Sequence, residues 1–533
     1  MRPLRPARVS CSGRALVLRL GLVLLGTSGT ACAGGNGLPA PFQPAPPEQR
    51  PVLAQSYRST GHAAAGDVFV QLFEWSWPDV GAECERSLGP AGYRAALVSP
   101  PQEHAVIAGR PWWERYQAVS YSIDRSRSGT RAEFMSMVAR CRAAGVELYV
   151  DAVVNHMTAG AGTGSNGTVY TKYQYAGVYD AGDFHAPCAV NDYQNAANVQ
   201  DCELVGLADL NTGRPSVQQR IADYLTGLAR LGVAGFRLDA AKHIQPVELD
   251  GIIARVNRAL TAEGRPVPYL FLEVIDAGSE AVHASDYFGL GYSSAGAADV
   301  TEFRYRGVGE KFLGTGGQRV TELAGFSQSA WQLMPSDKAV VFLENHDTQR
   351  QGGISYLDGD LFRLANIWML AQPYGYPVVL SGYAFDRRSQ AGRDAGPPTG
   401  GNGAIDGVKC AVPVEAAQPG QWVCEHRDPA IASMVAFRRA VAGTALERPW
   451  TDGNGAVAFS RGARGFVALN RGTSVVATSV PSALLPGTYC DVLTGGKGSG
   501  SCAGATVTVD QAGMVLLRLA ANSAIAIHAD ARP

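Results

Sequence analysis

Three carboxylates in this chain each follow an apolar run: Asp239 ends Gly235-Phe236-Arg237-Leu238-Asp239, Glu273 ends the run from Tyr269, and Asp347 closes Glu344-Asn345-His346-Asp347 after Ala339 to Leu343. Alone, an acidic residue after a strand caps a helix or faces solvent in a turn. Three at equivalent heights, joined by Arg237, His156 and His346, form a set suited to acetal cleavage. That reaction needs one carboxylate kept ionised to attack an anomeric carbon and one acid kept protonated for the leaving oxygen. Side chains alternate across a strand, so Arg237 and Asp239 point the same way, and a guanidinium beside a carboxylate favours its ionised form. Asp239 is therefore expected to be the nucleophile. Glu273, beside Val274 and Ile275 and near two like charges, is expected to have a raised pKa and to serve as general acid. Asp347 is expected to grip sugar hydroxyls and hold Glu273 protonated. His156, His243 and His346 lack the spacing of zinc ligands.

The elements that must position these groups read as alternating strands and helices. Strands are expected at Val68 to Phe73, Arg94 to Ser99, Val146 to Asp151, Gly235 to Asp239, Tyr269 to Glu273, Val300 to Tyr305, Ala339 to Leu343 and Tyr376 to Ser381. Phe134, Met137, Val138 and Cys141 mark one helix. Val217, Ile221, Tyr224, Leu225, Leu228 and Leu231 mark another, with Gly232 as its C-terminal cap. Helix, tight turn, apolar strand and a polar cluster at the strand's C-terminal end make an α/β fold, a (β/α)8 TIM barrel. Between Met157 and Asp209 periodicity is lost, which reads as a loop-rich domain inserted after the third strand and in need of its own staple. Beyond Gly443 short alternating runs separated by Gly-rich turns read as an antiparallel β-sandwich. The expected layout is a barrel over 62–443, including the insertion 157–209, and a β-sandwich over 444–533. A loop carrying Pro111-Trp112-Trp113-Glu114-Arg115-Tyr116-Gln117 cannot bury both tryptophans in a core, so it reads as a platform for sugar rings; the alternative is a loop pinned to the surface.

With 46% hydrophobic and 17% charged residues among 533, the chain can bury a large core. A formal net charge of −1 leaves no basic footprint for nucleic acid. Residues 1–33 read as a secretory signal, with Arg2, Arg5, Arg8 and Arg14 before an apolar run. Two outcomes stay open there: cleavage after Ala33, or lipidation of Cys32 ahead of a flexible linker over 34–61. Of ten cysteines, Cys11 and Cys32 fall in or beside the leader, leaving an even set suited to an oxidising compartment. Cys188 with Cys202, Cys410 with Cys424 and Cys490 with Cys502 would close short loops, leaving Cys84 with Cys141. This is one of about 105 possible connectivities.

The sequence resembles the α-amylase family, and most closely its animal-type branch, on Asp151 to His156, Gly235 to His243, Glu273 to Asp276 and Glu344 to Asp347 in the family's order. Leu72 to Trp75, Pro111 to Tyr116, Trp422 to Arg427 and Ile525 to His528 extend the likeness. The resemblance implies an endo-acting, retaining hydrolase of α-1,4-glucans such as starch and glycogen, with Asp239 as nucleophile, Glu273 as acid/base and Asp347 as transition-state stabiliser. It also implies substrate contacts from Trp112, Trp113, Tyr116, Gln117, His156, Arg237, Lys242 and His346. A structural calcium ion is implied on Asn155 and Asp209 with backbone oxygens of Gln200 and His243. Branch members often hold chloride with residues matching Arg237 and Asn345 and a further basic residue. Val378 stands at that last position, so chloride binding is not expected. The loop after Asp347 also departs, reading Gln351-Gly352-Gly353-Ile354-Ser355. A secreted monomer is expected. Rival readings are an exo-acting or transglycosylating relative and, outside enzymes, a surface glucan-binding protein.

Overall fold

The computed structural model describes residues 58–290, 297–401 and 403–533. The expected leader, Cys32 and the linker as far as residue 57 lie outside the described residues. Eight parallel strands close a barrel: β1 (Phe69–Leu72), β2 (Ala95–Val98), β3 (Glu147–Val153), β4 (Gly235–Asp239), β5 (Tyr269–Leu272), β6 (Ala298–Thr301), β7 (Ala339–Val341) and β8 (Tyr376–Ser381), each bonded to its neighbours in sequence and β8 to β1. Seven strands fall where the residue pattern puts them. The sixth is displaced, covering Ala298–Thr301 rather than Val300 to Tyr305. The Glu302 carboxylate takes the N–H groups of Arg304 (3.2 Å) and Met334 (2.7 Å), and Phe303–Arg306 coils into a short 3-10 turn.

Alternation along the strands sorts two cores. Val70, Val98, Val150, Phe236 and Leu238 face the surrounding helices. Phe69, Leu97, Tyr149, Phe271, Val340, Tyr376 and Val378 fill the barrel interior. Above that apolar layer, the same inward-facing rows continue as Gln71, Asp151, Arg237 and Asp239. Gly235 is required where it stands, because a Cβ there would lie 2.7 Å from the Tyr149 ring and 2.9 Å from the Tyr269 carbonyl.

Helix α1 (Arg131–Ala143) starts at a Thr130/Glu133 capping box and buries Phe134, Met137, Val138 and Cys141. Helix α2 (Pro215–Leu231) has proline in its first turn and ends at Gly232 with φ +107°, the left-handed cap glycine supplies cheaply. Helices α3 (Pro246–Ala262), α4 (Asp360–Ala371) and α5 (Pro429–Ala440) continue the outer ring. Among the described residues, no helix is long and apolar enough to cross a membrane.

The segment after β3 holds a short ribbon (Gly162–Thr163 with Val169–Tyr170), the helix Ala196–Asp201 and packed rings of Tyr170, Tyr175, Tyr179 and Phe184. Cys188–Cys202 staples it, with Cα atoms 4.9 Å apart. Cys84–Cys141, Cys410–Cys424 and Cys490–Cys502 also form, as the spacing suggested.

The C-terminal region is a sandwich of two antiparallel sheets. One runs β9 (Leu446–Thr451), β10 (Ala456–Arg461), β11 (Gly465–Asn470), β16 (Ser523–His528). The other runs β12 (Val476–Pro481), β15 (Met514–Leu519), β14 (Thr506–Val509), β13 (Gly487–Cys490). Phe466, Tyr489, Val515, Leu517 and Ile527 pack between them. Arg461 ties the sandwich to the barrel by donating to the last carbonyl of α4, Ala371, at 2.6 Å, where a cation suits the helix's negative end.

Candidate active site

Asp239, Glu273 and Asp347 come together at the C-terminal mouth of the barrel, around Arg237. Arg237 Nη1 donates to Asp239 Oδ1 at 2.8 Å and to Asp151 Oδ1 at 2.6 Å, and Nη2 donates to Glu273 Oε1. The other Asp151 oxygen accepts from Tyr116 Oη at 2.8 Å. The chain leaves β4 through Ala240, whose left-handed φ of +51° aims its N–H at Glu273 Oε2, 2.9 Å away. Asp151, Asp239 and Glu273 are buried, and Asp347 is half-buried.

This arrangement corrects one expectation. Arg237 does not single out Asp239 as the carboxylate kept ionised, because one guanidinium serves three of them. Burial pushes the Asp239 carboxyl well above its usual value, with Glu273 and Asp151 adding to the rise and Arg237 opposing it. Burial and Glu273 push Asp347 up to about 7 against Arg237 and Arg350. Asp347 therefore titrates near neutral pH, which a carboxylate in water would not.

His346 stacks between Phe73 (ring centroids 4.7 Å apart) and Tyr116 (5.3 Å). Burial, then the charges of Arg237 and Arg350, hold its pKa well below the ordinary histidine range, so the ring is neutral. Gln71 Nε2 lies 3.1 Å from Nδ1, which puts the ring proton on Nε2, 3.4 Å from Asp347 Oδ2. His156 is also neutral, lowered by burial to about 4, and its Nε2 reaches the Tyr116 carbonyl at 3.0 Å. Trp112 is buried, its indole N–H on the Arg393 carbonyl at 3.1 Å, whereas Trp113 is half-buried. The pair thus divides between full and partial burial. Gln117 accepts from the Ala159 N–H at 3.1 Å and so anchors the loop to the inserted segment.

Lys242 is clamped by Glu280 and by the Ile275 carbonyl (2.6 Å), with its ammonium 5.1 Å from the Tyr193 ring centre. Glu280, Tyr193 and Arg350 are site residues that sequence reasoning missed. The only signal for Glu280 was a carboxylate seven residues past Glu273. Behind the site, Glu344 is buried with neither carboxyl oxygen hydrogen-bonded, and burial and Glu425 hold its pKa far above the usual range.

Of the residues expected at a calcium ion, Asn155 lies against Asp209, and His243 lies against the segment that carries Gln200. The Asn155 amide lies 3.4 Å from Asp209 Oδ1, and His185 Nδ1 lies 2.7 Å from Oδ2. His243 donates to the carbonyl of Val199, one residue before Gln200, at 2.8 Å, which brings the last two segments together. Among the described residues, no group of three His, Cys, Asp or Glu is arranged for a metal. A set of one buried carboxylate, one amide and two backbone carbonyls is instead an all-oxygen set, which fits a hard cation.

Comparison with known proteins bears on this geometry. Residues 112–264 match the description "Alpha amylase, catalytic domain" and residues 450–530 match "Alpha amylase, C-terminal all-beta domain". The chain is 42% identical over 488 residues to an α-amylase of Tribolium castaneum, covering 88% of this chain and 95% of the relative. This chain belongs to the α-amylase family. A bacterial family member, from Thermomonospora curvata, is 43% identical over 486 residues, covering 89% of this chain and 75% of the relative. The crystal structure of α-amylase I from Eisenia fetida superposes with a TM-score of 0.80 at 35% identity, covering 89% of this chain and 98% of that one. The insect and annelid relatives support the animal-type branch, and the catalytic-domain match marks this family member as an enzyme.

Proposed function

We infer that this protein is an endo-acting α-amylase that hydrolyses internal α-1,4-glucosidic bonds of starch, glycogen and related glucans with retention. The observation that carries the reading is the pair Asp239 and Glu273 on the two Nη atoms of one guanidinium. Two carboxyls gripped by one planar fork suit the short separation of retaining enzymes, about 5–5.5 Å, better than the about 6.5–9.5 Å that admits a water in inverting ones. Asp239 attacks the anomeric carbon while Glu273 gives its proton to the departing glycosidic oxygen, leaving a glucosyl ester on Asp239. Glu273, now a carboxylate, takes a proton from a water that displaces Asp239, so the sugar leaves with its original configuration and both carboxyls are restored. Asp347, with the neutral His346 beside it, holds sugar hydroxyls and the charge that develops on the ring. The half-buried Trp113 offers a face to glucose.

Support for the substrate class comes from the Eisenia fetida relative, solved as a single-site mutant in complex with maltohexaose, at 36% identity and a TM-score of 0.79. Asn155, Asp209 and the carbonyls of Gln200 and His243 would hold calcium, which would tie the inserted segment to the barrel. Four disulfides suit a secreted protein, acting as a monomer; a lipid anchor at Cys32 remains the other reading of the leader. The decisive experiment is Glu273→Gln: hydrolysis of soluble starch should vanish while maltooligosaccharide binding stays measurable, and early wild-type products should be α-anomers. Unchanged turnover in the variant would reject Glu273 as the acid.

A further inference from the structure

Arg350 sits in the short helix Thr348–Gln351 directly after Asp347 and is almost fully buried. Its hydrogen bonds go to neutral oxygens: Nε to the Arg393 carbonyl at 3.0 Å, Nη2 to Tyr383 Oη at 3.0 Å, and Nη1 to the His346 carbonyl. Its charge lies among four aromatic rings, 4.5 Å from the centre of Phe385, 4.7 Å from Trp112, 5.3 Å from Phe73 and 5.6 Å from Tyr383. Such a cage stabilises a desolvated cation through the ring faces. The Arg393 carbonyl that receives Arg350 also receives the Trp112 indole N–H, at 3.1 Å. One guanidinium thus joins the carbonyl preceding Asp347, the tryptophan loop and the loop after β8.

We propose that Arg350 is a positioning residue for hydrolysis: it locks Trp112 and the His346-Asp347 turn into one rigid unit. Its charge also favours the ionised form of the neighbouring Asp347. The proposal rests on the reading of Asp347 as the stabilising carboxylate. Asp347 is also faced by Glu273 and Asp151, which disfavour its charge, by Arg237, which favours it, and by the neutral His346 and Tyr116 rings. Arg350 comes from Asp347's own helix, and its fork is filled by backbone and tyrosine. It therefore acts on Asp347 through space rather than by a shared proton.

The test compares Arg350→Met, Arg350→Lys and Trp112→Phe on soluble starch and a defined maltooligosaccharide, with thermal melts as a check on folding. In Arg350→Met, loss of the cation lets the Asp347 carboxyl rise, so the acid limb of the kcat/KM profile should move up by about one pH unit. Loosening of the turn should also lower kcat by about a hundredfold. Arg350→Lys should return the acid limb to its wild-type position while keeping a lowered kcat, because an ammonium restores charge but not the three-way fork. Trp112→Phe, which keeps the cation, should leave the acid limb in place. A folded Arg350→Met enzyme with the wild-type acid limb would overturn the proposal, as would an Arg350→Lys enzyme with wild-type kcat. If Arg350→Met does not fold, Arg350→Lys decides alone by its kcat. These failures differ from failure of the parent reading, which would show as turnover in Glu273→Gln.

Discussion

Replacing Arg237 by methionine tests whether one guanidinium organises the buried acids. The side chain contacts Asp151, Asp239 and Glu273, all buried, so its loss strands carboxyls that cannot be solvated where they stand. Removing one partner of a buried ion pair costs about 3–5 kcal/mol. Here the stranded groups can escape by taking up protons, so the cost must depend on pH. Asp239 already lies well above its unfolded value of 3.8, and the variant raises it further. A carboxyl whose folded pKa is raised contributes its stability below the unfolded value and loses it as pH rises through the folded one. Wild type and Arg237→Met should therefore differ little in denaturation midpoint near pH 4, and the gap should open as pH rises towards 8, reaching the range above. Arg237→Lys should lie between them, since one ammonium cannot span both Nη positions. Urea denaturation of the three proteins at pH 4, 6 and 8, with starch hydrolysis measured in parallel, reads the effect. A gap equal at all three pH values would refute the argument, because it would show that the arginine contributes packing rather than charge.

Three further outcomes are expected. Chelation by EDTA should lower both melting temperature and activity, with recovery on adding calcium; if neither changes, the assignment to Asn155, Asp209, Gln200 and His243 should be dropped. Activity should be the same in chloride-free buffer as with chloride, because Val378 sits in the apolar barrel layer and Arg237 already donates to three carboxylates; a clear rise in rate on adding chloride would contradict this. Removing Cys84–Cys141, which spans 57 residues, should destabilise more than removing Cys490–Cys502, which spans 12. Chain entropy assigns about 4 kcal/mol to the first and about 3 to the second, and thermal melts showing the reverse order would refute that account.

What the sequence made legible is what local rules govern. Period-two alternation places Arg237 and Asp239 on one face wherever Gly235 to Asp239 is a strand, and an apolar run ending in a carboxylate marks a barrel mouth without knowledge of its neighbours. The same rules misplace β6, because Phe303 and Tyr305 look like strand residues until the Glu302 carboxylate turns back on Arg304 and Met334. They pass over β9, an edge strand with a bulge between Glu447 and Trp450 and Pro449 within it, whose largely exposed face carries no clean alternation. How charges are shared was legible only for the pair Arg237 and Asp239. Nothing in the spacing of residues 151, 237, 239 and 273 says that one fork serves three acids, since that follows only when the strands carrying them close side by side. Lys242 with Glu280, and Arg350 among rings at positions 73, 112, 383 and 385, are of the same kind. The residues that react can be read one strand at a time, whereas those that set charge and orientation are products of closure. Substitutions at the second group should therefore change pH profiles and rates before they change which bond is cut.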